Sequence, residues 1–143
     1  MTHTRSDLLG TYAARRAVNS GQNSFTQWAS DNGSVGVAVG VSGTPAGPCL
    51  GLAVQALWEV TAASATTYAL TIDVLGSQDG THYDTEPYCS MVIGLSVTGA
   101  QTKMATMAIP FPEDLASIQV RATASVLASA TSNVWLSLLR VTQ

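Results

Sequence analysis

The chain has 143 residues, a formal net charge of −3, and only 10% charged residues against 46% hydrophobic ones. That length fits one domain with a core of its own. The acidic balance excludes a general nucleic-acid footprint, and no run of about 18 apolar residues is present to form a transmembrane helix.

Charge is scarce and unevenly placed. An ordinary soluble domain is about 25% charged, so this surface is weakly protected against association. Two readings follow: a neutral β protein rich in small residues, or a surface covered by neighbours in an assembly. Residues 1–20 hold Arg5, Arg15 and Arg16 against Asp7, whereas Lys103, Arg121 and Arg140 face all the other acids. The basic start on an acidic body reads as an arm that docks elsewhere or as a solvated terminus. The opening MTHTRSDLLG lacks the apolar stretch of an export signal. Cys49 and Cys89 are therefore expected as reduced thiols. No cysteine or histidine spacing suits zinc.

Residues 1–34 form the expected arm, separate from a β-sandwich domain over 35–143. Leu8, Leu9, Tyr12, Ala13, Arg16 and Ala17 fit one face of a short helix capped by Ser6 or Asp7, or an extended run along a partner. A polar breaker over 19–24 follows. Phe25 and Trp28 are then isolated aromatics that must bury on the domain or on a neighbour. The arm's expected partner-binding set is Arg5, Leu8, Leu9, Tyr12, Arg15, Arg16, Phe25 and Trp28. Such a segment buries too little apolar surface alone to offset its ordering entropy.

From Val35 the pattern turns to period 2. Val35, Val37, Val39 and Val41 alternate with small residues, which leaves one nearly bare face. After the 42–48 loop, Leu52, Val54, Ala56, Trp58 and Val60 mark a long strand. A link over 62–66 leads to a second strand, in which Tyr68, Leu70, Ile72 and Val74 are the apolar face. Gly76-Ser77-Gln78-Asp79-Gly80 stops it with turn chemistry. Cys89–Val97 is a strand with Gly94 as a possible bulge. Gly99-Ala100-Gln101 reads as a turn into the strand Thr102–Ile109, and Pro110-Phe111-Pro112 ends that one. Ile118, Val120, Ala122, Ala124 and Val126 mark the next strand. The last runs from Asn133 to Val141, with Val134, Leu136 and Leu138 on one face. Short strands with turn punctuation and no intervening helices predict an all-β, antiparallel, jelly-roll-like β-sandwich of about seven or eight strands.

Catalytic constellations are not evident. Asp79, His82, Asp84 and Glu86 crowd one loop, but their spacing does not match a calcium loop, and nothing nearby in sequence orients His82. The loop reads as solvated, with no metal and no cofactor expected. No nucleophile elbow or phosphate loop occurs. Trp28, Trp58 and Trp135 could form a sugar-stacking platform, but alternation places Trp58 in the core. Arg121 and Arg140 each require an acid or carbonyl partner.

The order of a strand, LGSQDGTHYDT, a strand pair, AIPFPEDLASIQVRATASV and SNVWLSLLRVT resembles small β-sandwich virion proteins of tailed phages, including capsid decoration (cement) proteins. The likeness covers about residues 52–143. It implies a non-enzymatic virion protein on the capsid surface, assembled in the host cytoplasm. It further implies a homotrimer bound to the major capsid protein, with no nucleic-acid, membrane or small-molecule partner. The alternative is a carbohydrate-binding or tail/baseplate adaptor sandwich.

Overall fold

The computed structural model describes residues 49–125 and 131–142, with the backbone of short strands at 4–7, 16–17, 26–28 and 37–38. The strands are β1 Thr4–Asp7, β2 Arg16–Ala17, β3 Thr26–Trp28, β4 Val37–Ala38, β5 Cys49–Ser77, β6 Cys89–Ala108, β7 Ser117–Ala124 and β8 Thr131–Thr142. A short 3-10 turn at Pro112–Asp114 precedes β7. Every strand pairing among the described residues is antiparallel.

β5 is the axis of the molecule. One of its edges runs beside β6, from Ala53 opposite Ala108 to Val74 opposite Cys89. Its other edge is divided. The first half pairs with β8, from Cys49 to Thr61, and the second half pairs with β7, from Leu70 to Ser77. The body is therefore two antiparallel three-stranded sheets, each taking one half of β5 and one half of β6. That makes six strand segments, not the expected seven or eight. The short strands extend the outer edges: β1 and β2 lie on β8, and β3 and β4 lie on β7.

Two predicted interruptions are absent, and for one physical reason. The 62–66 link and the Gly99-Ala100-Gln101 turn lie inside continuous strands, facing each other across the hairpin. Ala62 pairs with Gly99 and Thr66 with Val97, so β5 spends more residues here than β6 does. Such an excess bends a strand pair without ending it. Gly99 takes φ +85°, a backbone state that side chains disfavour, and so accommodates the bend. The irregularity predicted at Gly94 lies here instead, because Gly94 stays in plain register with Ala69.

The alternation predicted for the long strands holds. Leu52, Val54, Ala56, Trp58 and Val60 are buried along the first half of β5, and Tyr68, Leu70, Ile72 and Val74 along the second. Ile118, Val120, Ala122 and Ala124 from β7 join them, as do Val134, Leu136 and Leu138 from β8. Trp58 is fully buried, and its indole Nε1–H donates to Ser132 Oγ at 2.9 Å. This satisfies the one polar atom of the largest core side chain. β6 covers the core less completely: Met91, Leu95, Ala105 and Met107 are half-buried against it.

Much of the expected arm lies outside the described residues, including Leu8, Leu9, Tyr12, Arg15 and Phe25. Arg5 pairs through its backbone with Val141, and Trp28 with Val120. Arg16 and Ala17, proposed for a helix face, are instead in strand β2, opposite Val134 and Asn133. These stretches of the arm are thus ordered by the ladder groups of this chain's own sheets. Of the strand expected over 35–41, Val37 and Ala38 are described, paired with β7.

The core reading makes a graded prediction. Ile72→Ala, at a site with 0% exposure, is expected to cost about 2–5 kcal/mol. Thr123→Ala, on the exposed face, should stay within about 0.5 kcal/mol. Urea unfolding of the two variants checks this, and similar losses would contradict the assigned faces.

Candidate functional site

The loop after β5 closes one end of the sandwich. Ser77 ends the strand, and Asp79 then organises the turn. Asp79 Oδ1 accepts from the backbone N–H of Thr81 at 2.8 Å and of His82 at 2.7 Å, and from Ser77 Oγ at 3.1 Å. This is the local side-chain-to-backbone bonding that favours Asp in turns. The other oxygen, Oδ2, receives the His82 ring Nδ1–H at 2.6 Å. His82 is therefore oriented, contrary to the sequence reading. The cue was the i, i+3 spacing of Asp and His around a glycine, which the turn brings face to face.

The loop is tied down on both sides. Asp84 N–H donates to Gly76 O, and Tyr88 N–H donates to Val74 O. The Tyr83 hydroxyl shares a 2.6 Å hydrogen bond with Ser117 Oγ, and Tyr88 Oη–H donates to the Pro110 carbonyl. Between these ties lies an open pocket of about 430 Å³, lined by Gly76, Gln78, Asp79, His82, Asp84, Tyr88 and Leu115. Gly76 shapes its floor. A Cβ there would meet Leu115 Cδ2 at 2.9 Å and Asp84 Oδ2 at 3.1 Å, so a larger residue would require those two side-chain ends to move.

The pocket electrostatics centre on one pair. Asp79 is held well below the usual carboxylate range, chiefly by the backbone N–H of His82, then by its ring and by Thr81. His82 is raised above its ordinary value, first by its hydrogen bond to Asp79 and then by the carboxylate charge. The raised histidine stabilises the loop fully below about pH 6.5, its unfolded value, and the gain is lost as pH rises through the folded value. The lowered aspartate helps above its unfolded value and fails only in strong acid. Among the described residues, no three His, Cys, Asp or Glu side chains gather to hold a metal ion. Asp84 and Glu86 are exposed, and the Asp79–His82 pair offers an oriented imidazole.

A second polar row crosses the outer face beside this loop. Ser90, Asp73 and Arg121 occupy one register line across β6, β5 and β7. Ser90 Oγ–H donates to Asp73 Oδ1 at 2.6 Å, and Arg121 Nη2 lies 3.8 Å from Asp73 Oδ2. Arg121 thus has the acidic partner its surroundings require. Cys89 is a free, half-buried thiol next to this row. Burial, and then the charge of Asp73, push its pKa up. The side chain of Cys49 lies outside the described residues.

Of the aromatic platform, Trp58 is unavailable because it is in the core, and Trp135 is half-buried. The side chains of Trp28 and of the other arm residues, Arg5 and Arg16 included, are not among those described. The sequence reading missed Phe111. It is 66% exposed and takes a left-handed φ of +47°, between two prolines at the same end as Tyr88. Its signal was an aromatic with no alternating apolar neighbours. Compared with known proteins, the chain matches no family model and no curated sequence.

Two measurements test this geometry. In an NMR titration, His82 should titrate above about 6.5, and Asp79→Asn should return it towards that value; an unshifted His82 in the parent would contradict the pair. Cys89 should alkylate more slowly than an exposed thiol at pH 8, since the thiolate is the nucleophile; equal rates would contradict its burial.

Proposed function

We propose that this chain is a non-enzymatic virion structural protein that binds a phage head and stabilises it as a capsid decoration (cement) protein. The observation that carries the reading is strand connectivity. With the halves of β5 and β6 taken separately, one sheet runs β1–β8–β5–β6 and the other β3–β7–β5–β6. That arrangement supports a jelly-roll-like reading, an architecture used by viral capsid and lectin domains. Fold analogy does not fix function, so composition carries the second step. A β-sandwich with so few charges fits a protein whose surface is shared with neighbours, namely the major capsid protein and further copies of itself.

The basic residues of the first segment fit the attachment. Arg5, Arg15 and Arg16 would meet acidic groups on the shell, adding on-rate and specificity. Leu8, Leu9, Tyr12, Phe25 and Trp28 would supply apolar contact. Removing the whole segment is a poor test, because β1, β2 and β3 extend the edges of β8 and β7. The better variant changes Arg5, Arg15 and Arg16 to Glu. It is expected to fold, by circular dichroism, and to lose at least tenfold in binding to purified capsids. Binding equal to that of the parent chain would overturn the arm's role, and the absence of the parent chain from capsids by mass spectrometry would overturn the reading itself.

One observation favours a second reading, a carbohydrate-binding module. The open pocket sets Gln78, Asp79, His82 and Asp84 beside the ring of Tyr88. Saccharide titrations that shift the amides of residues 78–88 would support it.

A further inference from the structure

We propose that the edge of β6 along residues 89–96 is a contact between two copies of this chain, joined antiparallel about a twofold axis at Val92. Among the described residues, β6 pairs with β5 alone. The direction of its backbone groups follows from one hydrogen bond. Ser125 N–H donates to Ala69 O, so the backbone of Ala69 faces β7. Gly94, opposite Ala69, therefore turns its N–H and C=O away from β5, because antiparallel pairs alternate. The same alternation turns Ser90, Val92 and Ser96 outward. Lys103 bears this out, since its Nζ–H donates to the Gly94 carbonyl from outside at 2.7 Å.

A row of outward backbone groups is a template for another strand, and sheet proteins ordinarily guard it with charge, proline or a bulge. Residues 89–96, CSMVIGLS, carry no charge and no proline and hold an unbroken register with β5. Lys103, on the other half of β6, brings its ammonium to this edge at the Gly94 carbonyl, and Ser90, Val92 and Ser96 carry the remaining outward groups. Val92 is 68% exposed, the most exposed large hydrophobic among the described residues.

A second copy suits this edge better than an unrelated strand. With Val92 on the axis, Ser90 meets Gly94 of the partner subunit, so each outward group meets an outward group. No like charges come together, although the chain as a whole is acidic. A Cβ built on Gly94 would have nothing within 4 Å, so no described atom covers the sheet face at this point. The Gly94 carbonyl keeps a second lone pair beside the Lys103 bond. A contact this short falls below the roughly 1,200 Å² of standard interfaces, so the pair is expected to be weak in solution. The inference holds whether or not the protein decorates a capsid, and its contact is twofold, not the threefold expected from the resemblance.

The test is made on the full chain in a Cys89→Ser background. Val92→Cys should give a disulfide-linked dimer on mild oxidation, because paired Cα atoms about 5.5 Å apart suit a disulfide. Met104→Cys, on the other half of β6, should cross-link at least tenfold less. Peptide mapping should place the bond between two copies of residue 92. In sedimentation, the parent chain should show a concentration-dependent dimer that Val92→Lys weakens at least tenfold. Cross-linking no greater at 92 than at 104, or a dimer indifferent to Val92→Lys, would overturn the proposal.

Discussion

β5 must keep one face inward while passing from one sheet to the other. A strand alternates its side chains with period 2, so an odd slip would turn every later apolar residue to solvent. Between Ala62 and Thr66 the strand advances four positions while its partner moves from Gly99 to Val97. Both steps are even. Trp58 and Val60 before the bend, and Tyr68 and Leu70 after it, therefore reach the same core. Everything else is placed by that continuity: β8 and β7 take the two halves of the free edge, and the short strands add outside them.

The same constraint positions the two ends of the molecule. Because the hairpin doubles back, the tail of β5 and the exit of β6 meet at one end. There Ile109 N–H donates to Leu52 O, and Tyr88 reaches Pro110. The 77–88 loop has no core of its own and is held by polar ties: Asp79 within the turn, Asp84 to Gly76, and Tyr83 to Ser117. Such a loop can present polar groups around a pocket, since the backbone N–H groups of Gly80, Thr81, His82, Asp84 and Tyr88 are all bonded within the chain. The pocket and the exposed Phe111 thus share an end far along the sandwich from the bend.

β6 is the weak side of the design. Apart from Ile93 it covers the core with half-buried residues, and it exposes Val92 and Met104 with Lys103 as its charged residue. A monomer in water would ordinarily guard such an edge. The scarcity of charge in the whole chain and the near absence of charge along this strand are one property at two scales.

Period-2 alternation alone made the all-β class and the inward residues of β5, β7 and β8 legible, because burial on one face of a pleat leaves that signature in every second residue. Composition likewise made the shortage of surface charge plain. The count of strands was not legible. Small residues at 62–66 and glycine at 99 signal a turn locally, and only the partner strand decides whether the chain reverses or bends. The Asp79–His82 pair was half legible: the residues stood in the sequence, but their meeting depends on the turn that Ser77 and Asp79 close. The Ser90–Asp73–Arg121 row was not legible at all. Its members lie far apart in the chain, and sheet register, a property of three strands packed together, is what brings them into line.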